Sequence, residues 1–333
     1  MRKFKYIFFD AGELKRGKPD EDNYYYICTL DLRSDPDVEV VTFPLEGKNI
    51  IFHYLFIFFQ KLSRCFPPLS FFNRLFYPFY IKKYNKNTQL CFVVYGYYIT
   101  PDYLRYLKKK YPKSKMVMIH RDSYKIWRKK NPLFSDNDIS ELFDLQMTYD
   151  IGDSIKYNMI HFDEIESQIP ISMSDNYPLR DVFFAGAAKD RLSLLIDIYD
   201  NLDSNGISCY FFITNVKPKD RIIRSGIVYS DKGMTYKEML YQTINSRVIL
   251  EVNQSCVDGY TSRFLEAVIY NKKLITNNTA IRNNRYYNEK YIQCFVKAED
   301  IDIQFLKTNN YIDFGYKNEF SPTHLIELID HSL

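Results

Sequence analysis

The chain has 333 residues, enough for two domains, because a single core seldom grows beyond roughly 250–300 residues. Its 46% hydrophobic and 26% charged residues are the balance of a globular chain and exclude a disordered or fibrous one. The formal net charge of +4, spread along the whole chain, is too small for a nucleic-acid binder, so no nucleic-acid partner is expected.

The N-terminus "MRKFKYIFFDAGE" meets Asp10 after a few apolar residues, which leaves no room for a signal-peptide core. Strands are expected at 5–11, 38–44, 90–96, 115–120 and 145–150, with helices at 50–62, 69–84, 101–111 and 138–144. The polar, Pro-containing run at 163–180 reads as a linker. A second series follows, with strands at 182–187, 208–213, 226–230, 247–252, 273–276 and 292–296. Its helices are expected at 190–203, 235–245, 261–271 and 322–331. Strands alternating with helices imply parallel sheets covered on both faces. The fold class is therefore α/β, with two Rossmann-like domains facing across a cleft. Their expected bounds are 1–165, a linker at 166–180, and 181–333, with the last helix able to pack back on the first domain.

Cys28, Cys65, Cys91, Cys209, Cys256 and Cys294 form no C-x-x-C pair, which argues against structural zinc and a disulfide framework and for a reducing cytoplasm. No run reaches the roughly 18 apolar residues needed to span a bilayer. Residues 50–84 hold two aromatic-rich apolar runs with Lys61, Arg64, Arg74, Lys82 and Lys83 and no acid. Aromatics beside cations suit a membrane interface, and equally a packed helical pair. Peripheral docking at the inner face of the plasma membrane is one of those two readings.

"GELKRGKP" matches G-x-x-x-x-G-K, but Pro19 stands where a P-loop needs a hydroxyl for magnesium. No G-x-G-x-x-G occurs, so no dinucleotide cofactor is expected, and no D-x-D or His-x-x-x-His cluster marks a metal site. "VFFAGAAKDRLSLL" puts Gly186 at the end of a buried strand, with Lys189 and Arg191 at a helix opening. Cations are unfavourable at that positive end unless an anion joins them, though two solvated side chains are the blander reading. "VDGYTSRFLEAVIYNKKLITNN" offers a second helix start, where Thr261 caps and Ser262 and Arg263 supply a hydroxyl and a guanidinium. On a helical wheel Ser262, Arg263 and Glu266 fall away from the apolar face of Phe264, Leu265, Val268 and Ile269. An exposed Glu266 would repel phosphate and suit a ribose diol instead. Asp258, eight residues earlier, lies on the preceding loop.

These segments resemble the donor site of GT-B glycosyltransferases of bacterial capsule, exopolysaccharide and lipopolysaccharide clusters, over most of 143–296. "FDLQMTYDIGDSIKYN" (143–158) is similar to a strand and turn near the end of their first domain. The resemblance implies transfer of a sugar from a UDP- or GDP-linked donor to a glycan acceptor, often lipid-linked, without metal or other cofactor. It implies that Gly186, Lys189, Arg191, Thr261, Ser262 and Arg263 hold the diphosphate, Glu266 the ribose, and Asp258, Gly259 and Tyr260 the sugar. Asp258 departs from the Glu common at that position. An acceptor base is expected at a strand end of the first domain, with His120 and Asp122 ahead of Asp10. Other readings stay open: a different phosphate-binding α/β transferase, or a membrane-associated nucleotide sensor without turnover.

Overall fold

The computed structural model describes residues 2–12, 14–15, 18–42, 50–66, 72–96, 99–253 and 259–333. The chain divides into two compact units, Met1–Ser167 with Phe320–Leu333, and Gln168–Glu319.

In the first unit the strands are β1 (Lys5–Asp10), a two-residue pair β2 (Leu14–Lys15) and β3 (Lys18–Pro19), β4 (Val38–Thr42), β5 (Leu90–Val94), β6 (Lys115–His120), β7 (Leu145–Thr148) and β8 (Ile160–His161). The helices are α1 (Tyr24–Ile27), α2 (Leu30–Arg33), α3 (Ile50–Cys65), α4 (Pro101–Lys110), α5 (Tyr124–Lys130), α6 (Asp136–Leu142) and α7 (Ile151–Tyr157). The parallel sheet runs β4-β1-β5-β6-β7-β8. β5 is apolar at all five positions, and β1 and β6 have apolar runs inside polar ends, because both faces of the sheet are covered. Ile7, Phe9, Phe92 and Met118 join one core, while Tyr6, Phe8, Val93 and Val117 join the other. The second core is closed by Leu325, Ile326 and Ile329 of the C-terminal helix.

The second unit holds β9 (Arg180–Ala187), β10 (Cys209–Thr214), β11 (Ile227–Ser230), β12 (Ser246–Glu251), β13 (Lys273–Thr276) and β14 (Ile292–Cys294). Its helices are α8 (Leu192–Ser204), α9 (Tyr236–Ile244), α10 (Ser262–Ile269) and α11 (Ile303–Lys307), and the chain ends in α12 (Pro322–Ser332) of the first unit. The order β11-β10-β9-β12-β13-β14 is the 3-2-1-4-5-6 order of a Rossmann sheet, again all parallel. The α/β class and the two Rossmann-like units are as the strand–helix alternation predicts.

Local departures have local causes. Of the long helix predicted at 69–84, residues 69–71 lie outside the described residues, and 72–84 form only 3-10 turns at 72–75 and Tyr77–Phe79. Pro78 sits in the second turn, lacks an N–H and crowds the carbonyl a turn earlier. Residues 143–158 are more than strand and turn, because Asp150 caps α7 by accepting from Asp153 N at 2.8 Å. The run read as a linker begins with fully buried Glu166 and Ser167; Glu166 N donates to Phe320 O at 2.8 Å. The described cysteines, Cys28, Cys65, Cys91, Cys209 and Cys294, are free thiols. No helix among the described residues is long and apolar enough to cross a membrane.

Candidate functional site

In an open parallel sheet, ligands bind beyond the carboxyl ends of the strands, where the strand order reverses. In the second unit that point lies between β9 and β12. A cavity of about 260 Å³ opens there, lined by Arg191, Glu251, Asn253, Thr261, Ser262 and Arg263 together with the ends of both strands.

Thr261 caps α10 by accepting from Arg263 N at 3.2 Å, and its hydroxyl donates to Glu251. Thr276, at the end of β13, donates to the other Glu251 oxygen. Burial pushes the Glu251 carboxyl up, while the two threonine hydroxyls and the Arg263 guanidinium pull it down. Arg263 pairs with Glu266 at 2.6 Å across one helical turn. The Glu266 oxygen in that pair also accepts from Tyr236 Oη of α9 at 3.1 Å.

Glu266 corrects the wheel reading: it is fully buried, beneath Arg263 rather than on a solvated face. Its i,i+3 partner and Tyr236 seal it, and neither contact is visible to a periodicity argument. Burial pushes its carboxyl up to about 7 against the pull of Arg263. Its second oxygen, Oε2, is buried without a hydrogen-bond partner among the described residues. Such an atom costs about 1–3 kcal/mol unless a ligand satisfies it.

Arg191 reaches the cavity, but its guanidinium donates twice to Ala187 O, at 3.2 and 3.0 Å, and once to Val252 O. It ties the ends of β9 and β12 together. Gly186 makes room for it, since a Cβ there would lie 3.0 Å from the guanidinium. Lys189 is exposed in the turn before α8 and holds φ at 47°, a backbone region that side-chain-bearing residues rarely occupy. Gly259 and Tyr260 are half-buried just before α10, with Tyr260 tilted over Phe264 at 5.2 Å. Asp258 lies outside the described residues. Among those described, no three His, Cys, Asp or Glu residues gather to hold a metal ion.

Glu251 and Asn253 are the residues that motif reading passed over. Asn253 N donates to Asn277 Oδ1 at 2.6 Å, while its own Nδ2 is buried with no partner among the described residues. The signal was present: an acid and an amide directly following the apolar run of a strand end at the binding edge.

In the first unit the order reverses between β1 and β5. Gly96 packs so closely there that a Cβ would fall 2.4 Å from Asp10 O. Asp10 is fully buried, and its oxygens accept from Arg33 at 2.7 Å, Thr42 Oγ1 at 2.9 Å and Gly12 N at 3.0 Å. Those partners hold Asp10 as an internal tie between β1 and β4. His120 corrects another expectation, for it does not project from its strand end. It is fully buried edge-on to Trp127 (4.8 Å) and Tyr124 (5.3 Å), with Nε2 3.2 Å from Gln146 Oε1. Burial holds it down to about 4, so it is neutral at pH 7. Asp122 pairs with Lys130 at 2.8 Å.

A different cluster occupies this edge. The Arg121 guanidinium lies between the rings of Tyr25 (4.1 Å) and Tyr95 (4.8 Å). Glu164, half-buried just past β8, accepts from Tyr95 Oη at 3.2 Å. Burial pushes the Glu164 carboxyl up to about 7, opposed by Arg121, the Ile165 N–H and the Tyr95 hydroxyl. A carboxyl balanced near neutrality beside a cation is the proton affinity expected of a general base.

No protein-family model matches the sequence, and no curated protein matches it. Solved structures match in fold. The Anabaena protein HepE, in complex with UDP-glucose, aligns with 98% of this chain and 99% of its own at a TM-score of 0.52 and 10% identity. An alpha-glucosyltransferase bound to UDP and DNA aligns over 98% and 90% at a TM-score of 0.44 and 10% identity. Sucrose-phosphate synthase from Thermosynechococcus elongatus aligns over 99% and 97% at 0.46 and 10%. Only the first reaches the similarity on which a shared fold is argued. With two six-stranded parallel sheets, the second in Rossmann order, the chain has the α/β fold of two Rossmann-like units found in GT-B enzymes.

Proposed function

We propose that this protein is a GT-B glycosyltransferase that moves a sugar from a nucleotide-diphosphate donor to a glycan acceptor in bacterial surface polysaccharide synthesis. The observation that carries the reading is the cavity at the β9/β12 switch point, lined by Arg263 at a helix start, whose partner Glu266 is buried with one oxygen lacking a hydrogen-bond partner among the described residues. Arg263, Lys189 and the N–H groups opening α10 bind the diphosphate. As the glycosyl bond breaks, its electron pair passes to the diphosphate, so these groups face more charge in the transition state than in the ground state. Glu266 orders Arg263 and offers Oε2 to a ribose hydroxyl; Asp258, Gly259 and Tyr260 meet the sugar. Glu164 takes the acceptor proton, because Asp10 is tied internally, His120 is sealed and neutral, and Asp122 is paired.

HepE was solved with UDP-glucose, so uridine is the first base to test. UDP or GDP without magnesium is expected to raise the melting temperature. A rise with ATP and magnesium only would favour a kinase-like enzyme, and binding without donor turnover on any acceptor would favour a nucleotide sensor.

The acceptor is proposed to be lipid-linked, with residues 50–84 docking on the membrane. Along α3, Ile51, Tyr54, Leu55 and Phe58 are 46–65% exposed, and Lys61, Lys82 and Lys83 are exposed too. Two cations of the segment already have acids from elsewhere: Arg74 pairs with Asp102 at 2.9 Å, and Lys82 lies 3.6 Å from Glu39. The docking charge then falls to Lys61 and Lys83, and to Arg64 on its place in the sequence alone, each contributing about 1 kcal/mol near anionic lipid. Vesicle sedimentation should show binding to anionic vesicles at low salt that is lost at 1 M, where the Debye length is about 3 Å. Serine at those three positions should abolish it while sparing activity on a short soluble acceptor. Indifference of the wild type to anionic vesicles would make this segment core packing.

A further inference from the structure

A larger groove, about 600 Å³, lies at the opposite, amino edge of the second sheet. Arg180 begins β9, Ser208 precedes β10, Ser246 begins β12 and Lys273 begins β13, so four strand starts meet there. Arg180, Arg247, Lys272 and Lys273 line it against one acid, Asp181. That acid is already engaged, accepting from Ser208 N at 2.9 Å and Ser208 Oγ at 2.7 Å, with Arg247 at 3.5 Å from its other oxygen.

The lysines are held without carboxylates. Lys272 Nζ donates to Ile244 O at 2.6 Å and Ser246 O at 2.8 Å, and the buried Lys273 Nζ donates to Phe305 O and Thr308 O at 2.6 Å each. Of these carbonyls Ile244 ends α9, Ser246 begins β12, and Phe305 and Thr308 lie in and just after α11, so the partial negative charge of a helix end attends each ammonium. A helix end offers only about half a charge, less than one ammonium carries. The half-buried Arg180 guanidinium has no hydrogen-bond or ion-pair partner among the described residues, and the Arg247 side chain is 57% exposed. Buried cations without counter-charge are costly, and a bound anion removes that cost.

We propose that this groove is a second ligand site, binding a small polyanion that carries phosphate or carboxylate groups, on the edge of the sheet opposite the nucleotide cavity. Arg180 and Arg247 present forked donors to its oxyanions, and Lys272 and Lys273 set a positive field beneath them. Burial holds the Lys272 ammonium down to about 8, and an anion beside it would raise that value. The site stands independently of the glycosyltransferase reading.

Calorimetric titration of inorganic pyrophosphate, and separately of citrate, at pH 7 and low salt provides the test. Three proteins are compared, each carrying Arg263→Ala to weaken pyrophosphate binding in the nucleotide cavity: that background alone, with Arg180→Ser/Arg247→Ser, and with Lys219→Ser, an exposed cation away from the groove lining. The exposed Arg247→Ser change alone serves if the double variant misfolds. The expected result is at least a tenfold loss of pyrophosphate affinity in the double variant, or a clear loss in Arg247→Ser, with binding kept in Lys219→Ser. Citrate binding on the same residues would assign carboxylates as well as phosphates to the site, and its absence would restrict the site to phosphates. Unchanged affinity in the double variant, an equal loss in Lys219→Ser, or no binding of either probe to the background protein would overturn the proposal.

Discussion

Glu266→Ala should weaken UDP binding by roughly 1.5–3 kcal/mol, about 10- to 150-fold, the scale of a hydrogen bond to a charged group. Two routes to that loss separate in one experiment. Where Glu266 accepts from the ribose, UDP affinity falls and pyrophosphate affinity at this cavity stays. Where Glu266 only orders Arg263 through their 2.6 Å pair, both affinities fall together and Glu266→Ala adds little to Arg263→Ala. Unchanged UDP affinity in a folded variant would remove the donor site from this cavity. The isosteric Glu266→Gln checks the electrostatics. Burial pushes the folded carboxyl up to about 7 from its ordinary 4.5, so the folded state binds more protons between those values. Stability from this group is therefore full below pH 4.5 and is lost as pH rises through 7, by at most about 1.4 kcal/mol per unit. Glu266→Gln should gain stability on wild type as pH rises from 5 to 8, read from urea midpoints.

The parts of this fold that sequence made legible are those decided by local pattern. Leu90–Val94 is apolar at all five positions because it is buried on both faces, and such runs separated by amphipathic ones specify parallel sheets. The α10 segment was legible for the same reason, its cap and apolar face lying within one turn of each other. What failed depended on partners far along the chain. Glu266 looked exposed because a wheel counts a charge as polar, yet Tyr236, 30 residues earlier, closes over it. His120 sits at its predicted strand end, but Trp127 and Gln146 bury it. Glu164 lay within a run read as linker, and only the sheet brings Tyr95, 69 residues away, against it.

The largest expected effect follows from that last contact. A general base contributes typically 10²- to 10⁴-fold, so Glu164→Gln should lower turnover of UDP-glucose, the first donor to try, by that factor while leaving UDP affinity unchanged. The active form is the carboxylate, so wild-type kcat/KM should rise with pH through a limb near 7, and the Gln variant should lack that limb. Tyr95→Phe fixes the assignment. The Tyr95 hydroxyl donates to Glu164 and helps hold its carboxyl down, so removing that hydroxyl must move the limb to higher pH. Removing the Arg121 guanidinium should move it further in the same direction, since Arg121 is the strongest of the groups opposing burial. A base that deprotonates the acceptor during direct attack inverts the anomeric centre, so the anomer of the product provides a separate check. A pH limb that persists unchanged in Glu164→Gln would place the proton acceptor elsewhere and leave Glu164 as a buried partner of Arg121 and Tyr95.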